Sequence, residues 1–207
     1  MARAFEDLFA IEDGFRDIPM AGRTDTSILS NAAAAHGILP GDLAPFHDVY
    51  LTHLARELAP DNARKVVMPG VRPLLDVLAA RGDVYLALLT GIYQKAARLK
   101  LEHFDLWRYF QCGAFADDGE DRNSLVPKAM ERIRDCGGPA VAPGDVIVIG
   151  DTPHDVACAR AAGARVVGVA TGPYSVAQLC ESGAETVFED LSDTSAFLKL
   201  LEPRRDA

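Results

Sequence analysis

The sequence predicts an α/β fold, a parallel β-sheet with helices on both faces, preceded by a small all-helical lobe. Three observations predict it. From Met68 onward, segments with strand character alternate with segments of helical periodicity, the pattern of a parallel sheet wound by crossover helices. The strand segments YLALLT, VIVIG and RVVGVA are apolar throughout, as strands buried on both faces are. Residues 1–66, by contrast, carry helical periodicity with no strand between the helices.

The lobe reads as helices Ala2 to Ile11, Thr26 to His36 closed by Gly37, and Leu43 to Leu58 closed by Pro60. The segment Ala59 to Pro69, with a proline near each end, marks the boundary between a helical domain 1–66 and an α/β domain 67–207. The second domain then reads in order. It has helix Val71 to Ala80, strand Val84 to Thr90, helix Tyr93 to His103, strand Cys112 to Ala116 and helix Leu125 to Cys136. Strand Val146 to Gly150, helix Pro153 to Ala162, strand Arg165 to Ala170, helix Ser175 to Ser182, strand Thr186 to Phe188 and a last helix near Thr194 to Leu201 complete it.

With 207 residues, 49% of them hydrophobic and 25% charged, the chain has the composition of a globular protein with a full core. A net charge of -9 and the lack of a basic stripe oppose a nucleic-acid partner. No apolar run approaches the roughly 20 residues of a membrane helix. The opening MARAFEDLFAIED places acids where a signal peptide is basic and then apolar. The expectation is a cytoplasmic protein without a membrane segment. Cys112, Cys136, Cys158 and Cys180 are widely spaced in helix or strand segments, which points to reduced structural thiols.

In open α/β sheets ligands bind beyond the carboxyl ends of the strands, so the residues after each strand carry the functional argument. The strongest constellation is Gly150-Asp151-Thr152-Pro153-His154-Asp155. Asp151 emerges from the strand, Thr152 suits an N-cap and Pro153 the first helical position, which brings Asp155 into the first turn near Asp151. Two converging carboxylates repel unless a cation lies between them, and hard divalent ions such as Mg2+ favour oxygen ligands. The structural alternative is an Asp placed for the helix dipole beside an incidental second Asp. His154 reads as a surface or supporting residue. At the end of the first core strand, Thr90-Gly91 offers a hydroxyl and a backbone N–H that a phosphoryl oxygen can approach, although such a pair is also an ordinary turn. A phosphate site in an acidic chain needs a cation, and Arg122 or Lys128 supplies one, with Lys95 and Arg98 as further candidates.

Taken in order, LLTG, a basic residue near a helix start, and VIGDTPHD resemble the second, third and fourth motifs of the haloacid dehalogenase superfamily. The helical lobe is similar to its small α-helical cap, and Ala21-Gly22-Arg23-Thr24-Asp25 resembles the cap loop of the phosphoglycolate phosphatase branch. The resemblance implies a Rossmann-like core and the hydrolysis of a small phosphorylated metabolite. It implies Asp151 and Asp155 as Mg2+ ligands, Thr90 and Gly91 as contacts to the phosphoryl group, and Arg122 or Lys128 as the neutralising cation. Arg23 would face the rest of the substrate or make a contact between cap and core. Ile92 stands where similar sequences often carry Asn.

The family's chemistry starts from a strand ending in Asp-x-Asp, whose first Asp attacks phosphorus and whose second acts as acid and base. No two aspartates of this chain are two positions apart. The strand that carries the motif would lie between Val84 to Thr90 and Val146 to Gly150. The expectation is therefore a sheet lacking its central strand and a chain inactive or incomplete at its amino end as given, with a non-catalytic metal-, phosphate- or partner-binding protein as the alternative.

Overall fold

The computed structural model describes residues 1–59 and 65–202. The chain divides into two compact units. One comprises residues 1–65 and 87–137, the other 66–86 and 138–207.

The first unit opens with helix α1 (Ala2–Phe9), α2 (Asp25–Ala35) and α3 (Phe46–Leu58). The helix expected from Leu43 is broken. Pro40–Leu43 forms a 3-10 turn and α3 starts at Phe46, after Pro45, whose ring cannot continue a helix it does not begin. The closure expected at Pro60 lies outside the described residues. Thr24 caps α2, its side chain accepting the Ser27 N–H at 3.1 Å.

The helices bury one core. Phe5 and Phe46 are fully buried, and Phe5 meets Phe9 and Phe15 edge-on with ring centroids 4.9 and 5.0 Å apart. Tyr93, Ala96 and Ala116, from beyond residue 86, join the same cluster, as does Ile92. The first unit also contains strand β1 (Ala87–Leu89), helix α5 (Gln94–His103), strand β2 (Cys112–Ala114) and helix α6 (Leu125–Asp135). β1 and β2 pair in parallel with Leu88 opposite Gly113, where a Cβ would lie 2.6 Å from that of Leu88. Leu125, Ala129 and Ala114 close the core beneath them with Leu89.

The second unit contains helix α4 (Val71–Ala79), strand β3 (Ile147–Gly150), helix α7 (Pro153–Ala161), strand β4 (Arg165–Val169), helix α8 (Val176–Glu181), strand β5 (Thr186–Phe188) and helix α9 (Thr194–Leu198). Its strands form a parallel ladder in the order β3-β4-β5, with Gly150 opposite Gly168 and Val169 opposite Phe188. Leu74, Leu78, Val167 and Phe197 form its core, with Val84, Leu86 and Ile147 packed against them. Gly70 starts α4 in the left-handed region at φ 77°, and a Cβ there would lie 1.9 Å from the Leu191 carbonyl carbon, so both conformation and space demand glycine.

Two expectations need correction. The strand anticipated over Val84 to Thr90 pairs only at Ala87–Leu89, and Val84 and Leu86 pack against the core of the second unit. The apolar strand VIVIG is not covered on both faces throughout. Ile149 is 43% exposed. Among the described strands β3 is the outer one of its ladder, and of Ile147 and Ile149, which share a face, only Ile147 packs against the Leu74, Leu78, Val167 and Phe197 core. Among the described residues no helix is long and apolar enough to cross a membrane.

Phe5 anchors the first unit, and Phe5→Ala should lower its unfolding free energy by about 3–5 kcal/mol. Chemical denaturation of the variant checks this. A loss below about 1 kcal/mol would mean that the site collapses around the deletion.

Candidate functional site

In the first unit, β1 delivers its chain to the turn Thr90-Gly91-Ile92-Tyr93. The Thr90 N–H donates to Ala114 O at 3.1 Å, continuing the ladder by one bond. The Ile92 N–H turns back to Thr90 Oγ1 at 3.2 Å, and Ile92 O accepts the Ala116 N–H at 3.1 Å. The first residues of α2 tie the far side. The Asp25 N–H donates to Gly91 O at 2.6 Å, and Asp25 Oδ2 accepts the Tyr93 N–H at 3.1 Å. Gly91 is itself buried, and among the described residues its N–H meets no acceptor. A buried peptide donor in native proteins is nearly always paired, which makes this N–H a candidate donor to a ligand.

Space around Gly91 is filled on the other sides. A Cβ there would lie 2.5 Å from Arg23 O and 3.0 Å from an Arg122 guanidinium nitrogen. Four residues singled out from the sequence, Thr90, Gly91, Arg23 and Arg122, are thus brought together. Arg23 contributes its carbonyl, and its side chain is exposed. Of the two candidate cations, Arg122 lies beside Gly91, whereas Lys128 pairs with Glu131 at 2.7 Å on the exposed side of α6. Arg98 pairs with Glu102 at 2.7 Å. Ile92 packs into the helical core, which gives an apolar residue at that position a structural reason.

Sequence reasoning missed the residues that hold this arrangement. Thr24 Oγ1 donates to Glu120 O at 2.8 Å, and Thr26 Oγ1 donates to Ala116 O at 2.7 Å. With Asp25 between them, three consecutive residues bind the turn after β1 and the loop after β2, which leads to Arg122. That loop has its own supports. The Gln94 N–H donates to Asp117 Oδ2 at 2.6 Å, and Asp118 accepts from the Phe115 N–H at 2.9 Å and pairs with Arg132. Thr24 and Asp25 stood out only within Ala21-Gly22-Arg23-Thr24-Asp25, the segment that resembles a cap loop, and nothing near them in sequence pointed to these bonds. Burial raises the Asp25 carboxyl above its ordinary 3.8, opposed by the Tyr93 N–H and by Lys100, and burial lifts the Tyr93 phenol to about 12.

In the second unit, β3 ends at Gly150, and Asp151 and Asp155 follow within one turn. Thr152 and Asp155 form a reciprocal capping box. Asp155 Oδ2 accepts the Thr152 N–H at 3.1 Å and its hydroxyl at 2.8 Å, while the Asp155 N–H points to Thr152 Oγ1 at 3.3 Å. Asp155 is 3% exposed, and its carboxylate caps α7. Two glycines make room for the pair. A Cβ on Gly150 would lie 2.2 Å from Asp155 Cγ, and one on Gly172 would lie 2.1 Å from Asp151 Oδ2. Among the described residues no cluster of three or more His, Cys, Asp or Glu side chains forms. Carboxylates such as Asp151 and Asp155 are the kind of oxygen donor that Mg2+ takes. His154 is exposed, and Tyr174 is half-buried in the loop that carries Gly172.

The raised Asp25 carboxyl has a consequence for stability. The folded chain holds that proton more tightly than the unfolded one, so the contribution is full below 3.8 and is lost as pH rises through the folded value. Asp25→Asn does not titrate. Its melting temperature should gain on that of wild type as pH rises from 3.8 toward neutrality. Parallel melting curves across that window would contradict the burial argument.

Comparison with known proteins adds the following. The family model of haloacid dehalogenase-like hydrolases matches residues 42–169. A phosphoglycolate phosphatase of Rhodospirillum rubrum is 32% identical over 191 residues, 90% of this chain and 77% of that protein. A phosphoglycolate phosphatase of Agrobacterium fabrum is 28% identical over 151 residues, 73% of this chain and 61% of that protein. Among solved structures, a hydrolase from Pseudomonas syringae superposes with a TM-score of 0.67 at 20% identity, over 98% of this chain and 91% of that one. A CbbY variant from Rhodobacter sphaeroides, in complex with xylulose-(1,5)bisphosphate, gives 0.68 at 16% identity, over 93% and 87%. At these identities the two structures speak for the fold.

Proposed function

Because the chain belongs to the haloacid dehalogenase-like hydrolase family, we propose that it serves the Mg2+-dependent hydrolysis of a small phosphorylated metabolite, in the manner of the phosphoglycolate phosphatases it is similar to. The observation that carries this reading is the buried Gly91 N–H, which meets no acceptor among the described residues beside the Arg122 guanidinium.

In this reading the Thr90 hydroxyl and Gly91 N–H donate to the transferring phosphoryl group, and Arg122 balances its charge. Lys128, held by Glu131, is the weaker candidate for that task. Asp151 and Asp155 hold the ion. Bound Mg2+ would supply a Lewis acid that neutralises negative charge on its oxygen ligands. Arg23, exposed next to the Gly91 turn, is placed to meet the remainder of the substrate, and residues 1–66 act as the cap that selects it. Cytoplasmic localisation accords with this metabolic role.

The nucleophile is the open part of the assignment. The sequence has no Asp-x-Asp, and positioning groups without a nucleophile do not complete a two-step transfer. The 207-residue chain should therefore release no product from an aryl phosphate with Mg2+ present. The same chain joined to a segment whose strand ends in Asp-x-Asp should turn over, and Asp151→Asn should abolish that turnover. Activity of the 207 residues alone, lost in Asp151→Asn, would show that another residue attacks phosphorus. The same absence of Asp-x-Asp favours a second reading, a non-catalytic phosphate- or metal-binding protein. An extended chain that stays inactive while binding phosphate would select it.

Metal binding is separable from turnover. Mn2+ affinity measured by calorimetry should disappear in Asp151→Asn and fall about tenfold or more in Gly172→Ala, whose methyl pushes the Asp151 carboxylate aside. Unchanged affinity in both variants removes the metal assignment.

A further inference from the structure

We propose that Thr24-Asp25-Thr26 is a positioning element for phosphoryl binding, with Asp25 at its centre aiming the Gly91 N–H. This inference rests on the reading of Thr90-Gly91 as the phosphoryl contact.

A peptide N–H can be aimed only if the planes flanking it are fixed. On the amino side of the Thr90–Gly91 peptide, the Thr90 N–H is tied to Ala114 O at 3.1 Å. On the carboxyl side, Gly91 O is held by the Asp25 N–H at 2.6 Å, and the Ile92 N–H by Thr90 Oγ1 at 3.2 Å. The next plane is held by the Tyr93 N–H on Asp25 Oδ2 at 3.1 Å. Asp25 therefore grips two of the successive peptide planes beyond Gly91, one through its backbone and one through its side chain. The intervening N–H inherits its direction from these anchors.

Thr24 and Thr26 extend the grip to the second loop. Their hydroxyls bind Glu120 O at 2.8 Å and Ala116 O at 2.7 Å. Ser30 adds a 3.0 Å bond to the Glu120 side chain from the next turn of α2. The loop so held runs on to Arg122, whose guanidinium lies against Gly91. One short stretch at the start of α2 thus sets both the donor and the cation. Thr24 and Asp25 are buried, at 0% and 7% exposure, so they would act on a bound phosphoryl group through the residues they hold. A carboxylate is an expensive group to bury, and the Tyr93 N–H on Oδ2 is the bond to the turn that it gains there.

The test uses inorganic phosphate as the probe and the Gly91 amide as the reporter, in 1H–15N spectra of the 207-residue chain. Phosphate should shift the wild-type Gly91 amide saturably. Asp25→Ala, which keeps the backbone bond but releases the Tyr93 N–H, should weaken phosphate binding about tenfold or more. Asp25→Asn retains an acceptor oxygen and should restore affinity to near wild type, a rescue that a merely space-filling role does not predict. Thr26→Val, close in shape, keeps the fold testable if Asp25→Ala does not fold, and should weaken phosphate several-fold. Wild-type affinity in folded Asp25→Ala, or in Thr26→Val where Asp25→Ala does not fold, overturns the inference and leaves the phosphoryl reading standing. Loss of binding in folded Asp25→Asn also overturns it. A Gly91 amide indifferent to phosphate in wild type overturns both.

Discussion

Buried peptide groups must be paired, and in the first unit that rule shapes everything around Gly91. The turn after β1 has too few residues to satisfy its own backbone, so it borrows partners from β2, from the loop after β2 and from the start of α2. Each borrowed bond also fixes a direction. Helix α2 is needed as a supplier of hydrogen-bond partners as much as for the apolar face it gives to the Phe5 and Phe46 core. The helical segment and the β1–β2 segment consequently form one compact unit.

The second unit meets a similar demand with local means. Gly150, Thr152 and Asp155 lie within a single strand-to-helix turn, where the N-cap, the proline at the first helical position and the reciprocal bond to Asp155 satisfy the helix end. Asp155 illustrates how one carboxylate serves a cap and a candidate ligand together. Gly150 and Gly172 act by omission, since a methyl at either would occupy space the carboxylates use.

This difference explains what was legible in the sequence. The VIVIGDTPHD turn could be read because its causes sit within a few residues of each other, and the structure reproduces its strand, cap and helix. Helix and strand order was readable for the same reason, while boundaries shifted where a proline or a competing core intervened, as at Pro45 and at Val84 to Leu86. Thr90 and Gly91 were visible as a turn, but nothing nearby in sequence distinguished Arg122 from Lys128. In the structure Arg122 lies beside Gly91 and Lys128 pairs with Glu131. The role of Asp25 in holding the turn was not legible because its partner, the Tyr93 N–H, is 68 residues away.

Those separations also bear on how the chain reaches its final state. The bonds from Thr26 to Ala116 and from Thr24 to Glu120 bridge 90 and 96 residues. Closing loops of that size carries an entropic penalty that local contacts do not repay, so such bonds tend to form late in folding. β1 and its turn can assemble with β2 early, yet the orientation of the Gly91 peptide matures only when the start of α2 docks. The part of the first unit richest in candidate chemistry is thus the part whose geometry depends most on completion of the whole unit.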